Sequence, residues 1–117
     1  MLASVSADGQ PQLGLRGSVQ VRGDDRLGVW LRNAVGGTAE NVRQNPKVSL
    51  FYRNPETRMA MQIQGRAFEP TDPAELQSIY DESPEPERNA DAERNGTGLI
   101  IEIDRVIQRG QVILSRD

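Results

Sequence analysis

A chain of 117 residues, 36% of them hydrophobic, buries one modest core, so a single domain over residues 1–117 is expected. It has no cysteine and no histidine, which excludes a disulfide framework, thiolate and ordinary zinc sites, and histidine-dependent triads. A net charge of −3, with one Trp, two Tyr and two Phe, argues against a broad nucleic-acid surface. No apolar run approaches the ~18 residues of a membrane span or forms a signal-peptide core, which reads as a cytoplasmic protein.

Eleven glycines and seven prolines suit short strands joined by tight turns better than a helical bundle. Residues 2–6 read as a strand, Asp8-Gly9 as a hairpin turn, and Gln12 onward as the partner strand. In that partner Leu13, Leu15, Val19 and Val21 alternate with Gln12, Arg16, Ser18 and Gln20, a period of two that predicts an apolar face turned to the core. Gly23-Asp24-Asp25 turns the chain into a third strand, residues 27–32. There Leu27, Val29 and Leu31 continue the inward set, and Trp30 and Arg32 share the other face.

Residues 38–44 predict a short helix, with Thr38 placed to cap its free amides and Ala39 and Val42 facing the core. Asn45, held before Pro46, ends it. Residues 47–53 carry apolar or aromatic groups on both faces (Val48, Leu50 and Tyr52; Phe51), which predicts a central strand. A long strand follows over residues 58–69, bent at Gly65. Thr71-Asp72-Pro73 opens a second helix through about Asp81 by putting a capping residue before proline at the first helical position. Residues 83–95 are acidic and poor in apolar groups, which predicts an exposed excursion, mobile or folded partly onto a partner. Residues 99–103 and 106–114 supply the last strands. The order predicts a mainly β protein, an antiparallel closed or partly closed barrel with two short helices. A second copy of the chain would help so lean a core.

Candidate chemistry collects at one place in this scheme. Arg16 and Ser18 stand two apart on one strand and point the same way. Arg32 sits beside Trp30 on the next strand, and the Gly36-Gly37-Thr38 turn lies just beyond it. Guanidinium groups grip phosphate bidentately, helix N-terminal amides favour an anion, and glycines let a ligand lie close to the backbone, so a phosphorylated planar cofactor suits this convergence. A plainer reading stands beside it. Arginine and serine on an outer strand face are ordinarily solvated, Gly-Gly is ordinarily a turn, Trp30 suits a subunit contact, and Glu40 in the helix's first turn would repel a phosphate.

Together, the stretches LASVSADGQPQLGLRGSVQV, LGVWLRN, TAENVRQNPKVSLFYRNPETR and MQIQGRA resemble the pyridoxamine 5′-phosphate oxidase-like FMN-binding split barrels, over residues 1–69 and more weakly in the last strands. The likeness rests on the combination of an Ala-Asp-Gly hairpin, Arg-Gly-Ser on the second strand, then helix, Asn-Pro and strand at this spacing. It implies a homodimeric, Greek-key split barrel of about six strands, with FMN in a groove at the dimer interface. It also implies an FMN-dependent oxidoreductase in which no side chain is assigned as catalytic. By position, the resemblance implies cofactor contacts from Arg16, Gly17, Ser18 and Val19, from Leu31, Arg32 and Asn33 beside Trp30, and from Gly36, Gly37 and Thr38. The last three stand where the oxidases carry Ser-Arg-Lys, so two cationic contacts are lost and Arg16 and Arg32 are left to replace them. Gln62 matches a position that reaches the flavin from the other subunit. The family's C-terminal Trp and Arg have no counterpart, so vitamin B6 oxidation itself is not expected, and the helix that ordinarily precedes the first strand is expected to be missing. A deazaflavin, also a phosphorylated tricycle, is the alternative cofactor. A non-catalytic flavin-binding or ligand-sensing dimeric barrel is the alternative function.

Overall fold

The structure, a computed structural model, describes residues 1–116. Eight strands form one antiparallel sheet: β1 (Leu2–Val5), β2 (Pro11–Gly14), β3 (Gln20–Gly23), β4 (Arg26–Leu31), β5 (Lys47–Asn54), β6 (Met59–Phe68), β7 (Thr97–Gln108) and β8 (Gln111–Ser115). They run in the order β2-β1-β5-β6-β7-β4-β3, with β8 paired to β7 beside that path. Three helices complete the fold: α1 (Gly37–Gln44), α2 (Pro73–Asp81) and α3 (Glu85–Ala90). Strands and helices both exceed the expected number, because the predicted second strand divides in two and the acidic segment is folded. No helix among the described residues is long and apolar enough to cross a membrane.

Local chemistry sets most boundaries. The Asp8-Gly9 turn closes with Gly9 donating to the Ser6 carbonyl at 3.0 Å and Gly9 itself at φ 88°. Asp72 caps α2 by accepting from the Ala74 amide at 2.9 Å, with Pro73 following it. Asn45, extended at φ −139°, stops α1 before Pro46. One expectation fails at the other end of α1. The helix begins at Gly37, and Thr38 does not cap it, because Gly36 and Gly37, at φ 77° and 53°, swing the chain into helix one residue early. β5 lies between β1 and β6 as expected of a central strand, although Phe51 and Tyr52 near its end are exposed.

Alternation along β4 and β7 builds two cores. Leu27, Val29 and Leu31 face Leu99 and Ile101 in the main cluster, which Ala39 and Val42 of α1 close together with Leu2, Val48 and Leu50. Trp30 and Ile100, one residue out of phase, point the other way and meet Ile79 of α2.

The second correction concerns the predicted apolar face of residues 12–21. β2 pairs only with β1 and β3 only with β4, at opposite edges of the sheet. The period of two survives, but its sense is reversed. Leu13, Leu15 and Val21 are 71%, 80% and 79% exposed, whereas the polar alternates make internal contacts. Asn41 of α1 donates to Gln12, Arg16 donates to Thr38, and Gln20 donates to the Ile79 carbonyl. The connecting stretch between Gly14 and Gln20 reaches at most ~20 Å. The two edges of the sheet are therefore drawn round toward each other and joined by chain rather than by ladder bonds, which is a split barrel.

A third correction falls on residues 83–95. Most of them are exposed, as expected, but they fold onto their own chain rather than a partner, forming α3 and a turn that docks on β4. The Tyr80 hydroxyl is shared between the Arg88 and Asp91 carbonyls, at 3.1 and 2.9 Å. The buried Asp91 carboxylate accepts from Trp30 Nε1 at 2.9 Å and from the Asn95 and Gly96 amides at 2.8 Å each. Tyr80 packs edge-on against Trp30, ring centroids 5.1 Å apart. Burial works to raise the Asp91 pKa, but the hydrogen bonds from Trp30, Asn95 and Gly96, with the charge of Arg32, prevail and hold it below its ordinary 3.8. Asp91→Asn, which turns an amide NH₂ toward these donors, is expected to destabilise the fold by about 1–3 kcal/mol. Because the folded-state pKa is depressed, this stabilisation is full above 3.8 and is lost as the pH falls through the folded value, so the gap to Asp91→Asn closes in acid. Urea unfolding of both proteins at neutral and acid pH checks this.

Candidate functional site

The seam between β2 and β3 opens on a cavity of about 830 Å³. Its floor is the connecting segment with Arg16 and Gly17, one wall is the end of β4 with Leu31, Arg32 and Asn33, and the other is the start of α1 with Gly36, Gly37 and Thr38. Asn33 shapes the turn between these walls by accepting from the Val35 amide at 3.0 Å.

Arg16 is the half-buried centre of the site. One terminal nitrogen donates to Thr38 Oγ1 at 2.8 Å and the other to the Leu15 carbonyl at 3.0 Å. Its Nε is buried and has no hydrogen-bond partner among the described residues. Burial, and next the charge of Arg32, lower the Arg16 pKa below the usual guanidinium value, while Glu87 opposes them. Thr38, accepting from Arg16, keeps its own proton for donation. α1 carries no side-chain cap, so its first amides add further donors at the same end.

Arg32 is held differently. Its Nε and a terminal nitrogen donate to Glu87 Oε2 of α3, at 3.3 and 3.0 Å. The other oxygen of Glu87 lies on the backbone of Gly17, where any Cβ would collide with it. Glu40, read from the sequence as a repulsive charge at the helix start, does not line the cavity. It accepts from Gln44 Nε2 at 2.7 Å and lies 3.8 Å from Arg43.

Arg16, Gly17, Trp30, Leu31, Arg32, Asn33, Gly37 and Thr38 thus border one cavity, while Ser18, Val19 and Gln62 do not. Ser18 is buried, with Oγ donating to the Trp30 carbonyl and accepting from the Trp30 amide, each at 2.9 Å. The Trp30 indole is buried and makes contact with Asp91, Tyr80 and Ile79. Val19 is turned to solvent, and Gln62 lines a separate cavity with Phe51, Arg58 and Arg109. Sequence reasoning missed Glu87, Asp91 and Tyr80. Their one local signal is Pro84, which seats the start of α3 within an otherwise polar run.

The family described as pyridoxamine 5′-phosphate oxidase matches residues 1–109. The chain therefore belongs to the pyridoxamine 5′-phosphate oxidase-like family of FMN-binding split barrels. Solved structures of the same fold include HupZ of Group A Streptococcus, with TM-score 0.75, 22% identity, and coverage of 96% of this chain and 85% of that one. A pyridoxamine 5′-phosphate oxidase-related, FMN-binding protein of Nostoc punctiforme has TM-score 0.73 and 14% identity, covering 90% of this chain and 70% of that one. A protein named F420 reductase has TM-score 0.66 and 18% identity, covering 91% and 86%. Comparison with curated proteins gives no match.

Contact between Gly17 and Glu87 can be measured directly. Gly17→Ala is expected to cost at most about 1 kcal/mol, the carboxylate swinging aside and loosening its pair with Arg32. In a Glu87→Ala background the same change should cost little, and the double-mutant cycle from urea unfolding reports the difference.

Proposed function

We propose that this chain is an FMN-binding oxidoreductase that works as a homodimer, with the cofactor in the Arg16 cavity. The observation that carries the reading is Arg16, half-buried in the lining of a large cavity, hydrogen-bonded to Thr38 and without an ion pair among the described residues, beside an uncapped helix start. Arg16 and the Thr38 hydroxyl would hold the phosphate, and Gly36 and Gly37 would let it approach the α1 amides. These groups fit a phosphate, with one cation and one hydroxyl where the oxidases carry two cations. When bound, the flavin supplies the redox chemistry, and the chain supplies orientation and exclusion of water.

Dimerisation is supported by the exposed apolar row. Leu13 and Leu15 form the cavity rim, and Val21 and Val35, each 79% exposed, extend the apolar surface. A second copy laid over this row would cover the rim, and the family resemblance would have that copy contribute Gln62 to the flavin site. A second reading, a non-catalytic flavin-binding barrel, is favoured by the neutralisation of Arg32 by Glu87, which leaves Arg16 as the one cation of the cavity lining without an ion pair among the described residues, where the oxidases keep more.

FMN is expected to lose fluorescence on titration with the protein, and Arg16→Ala to weaken binding by about 10–100-fold. No change with about 300 μM FMN would remove the cofactor reading, whereas a spectrum of deazaflavin type in the purified protein would exchange FMN for its relative. Bound flavin that no reductant or acceptor turns over would leave the non-catalytic barrel. Light scattering should give a dimer for the wild type and a monomer for Val21→Glu.

A further inference from the structure

The two arginines of the cavity are not equivalent. Arg32 has an internal counter-ion: Glu87 Oε2 accepts from two of its nitrogens. The Glu87 side chain is only 19% exposed against 57% for Arg32, so the acid is the enclosed partner of the pair. It is seated on the bare backbone of Gly17, one residue from Arg16, and its helix is tied down at its C-terminal end through Tyr80. Arg16 has no carboxylate within ion-pair distance among the described residues, although the charge of Glu87 reaches it. Its contacts are a hydroxyl and a carbonyl, and its Nε is unpartnered.

The cavity therefore has one end already filled by an anion and one end still calling for one. We propose that Glu87 is the specificity-determining residue of this cavity. As a resident carboxylate at the Arg32 end it restricts the pocket to ligands bearing a single phosphate, bound at the Arg16–Thr38 end, and turns away diphosphates, whose second group would need Arg32. This rests on reading the Arg16 end as a phosphate site. Gly17 is part of the device, because a side chain there would push the carboxylate out of its present position. Repulsion supplies the selectivity: a second phosphate placed beside Glu87 meets a like charge in a partly enclosed site, and Arg32 cannot serve both.

Thermal-shift titrations with inorganic phosphate and inorganic pyrophosphate, free of any flavin, test the idea on wild type, Glu87→Gln, Glu87→Gln/Arg32→Gln and Arg16→Gln. Glutamine keeps the shape of the glutamate and an oxygen for Arg32, so α3 stays docked. Glu87→Gln should bind pyrophosphate about tenfold more tightly than wild type and gain less for phosphate, and the added Arg32→Gln should cancel the gain. Unchanged pyrophosphate affinity in Glu87→Gln, an equal gain for both anions, or a gain that survives Arg32→Gln overturns the role of Glu87 alone, provided Arg16→Gln weakens phosphate binding. Arg16→Gln that binds phosphate like the wild type, or no stabilisation of any of the proteins by either anion, removes the phosphate site and this proposal with it.

Discussion

Ser18 Oγ donates to the carbonyl of Trp30 and accepts from its amide, so one hydroxyl takes the place of a ladder pair between two segments with no regular strand pairing there. Its fixity sets the site. The same tryptophan is held at its other end by Asp91, so the Arg16-Gly17-Ser18 segment is registered against β4 and against α3 at once. Gly17 then comes to lie on the Glu87 carboxylate, and Arg16 is directed at Thr38. A buried hydroxyl with both functions satisfied is inexpensive to hold, whereas removal of its oxygen would leave a buried amide and carbonyl unpaired.

The arrangement also explains why so short a chain keeps charged groups close to its interior. Arg43 is paired with Glu69, Arg66 with Glu102 and Asp104, and Arg22 with Glu82, all partly exposed pairs that water can screen. Asp91 is different, since its hydrogen-bond partners are an indole and two amides, and the charge of Arg32 adds less than they do. Its charge is kept by directed donors, which is how a buried carboxylate remains ionised without a salt bridge.

Features written into a few neighbouring residues were legible in the sequence. The Asp8-Gly9 turn, the Asp72-Pro73 helix start, the stop at Asn45-Pro46 and the core positions Ala39 and Val42 follow from local chemistry and are found where expected. The alternation of residues 12–21 was legible as a period, but a period carries no sign. Whether Leu13 or Gln12 faces inward depends on Asn41 and Thr38, polar groups on α1 far along the chain. The acidic segment was misread for a related reason. It has little apolar surface of its own, and what folds it is a tryptophan, a tyrosine and a pair of backbone amides met only in three dimensions. Within the site, the convergence of Arg16, Arg32 and the glycine turn was legible, since strand alternation and loop length bring them together. The use of Ser18 and Trp30 as structural anchors was not, because a hydroxyl and an indole look alike in sequence whether they meet a ligand or each other.

β7 is twelve residues long and pairs with β4, β6 and β8, so it alone joins the two parts of the sheet. Until residues 97–108 have been made, the growing chain holds two separate fragments, β2-β1-β5-β6 and β3-β4, each with an open edge facing where β7 will lie. Closure must therefore wait until residues 97–108 have left the ribosome. Folding of this protein is in consequence a late, slow event dominated by pairings distant in sequence, and the exposed edges of β4 and β6 are where a nascent or truncated chain would stick to its neighbours.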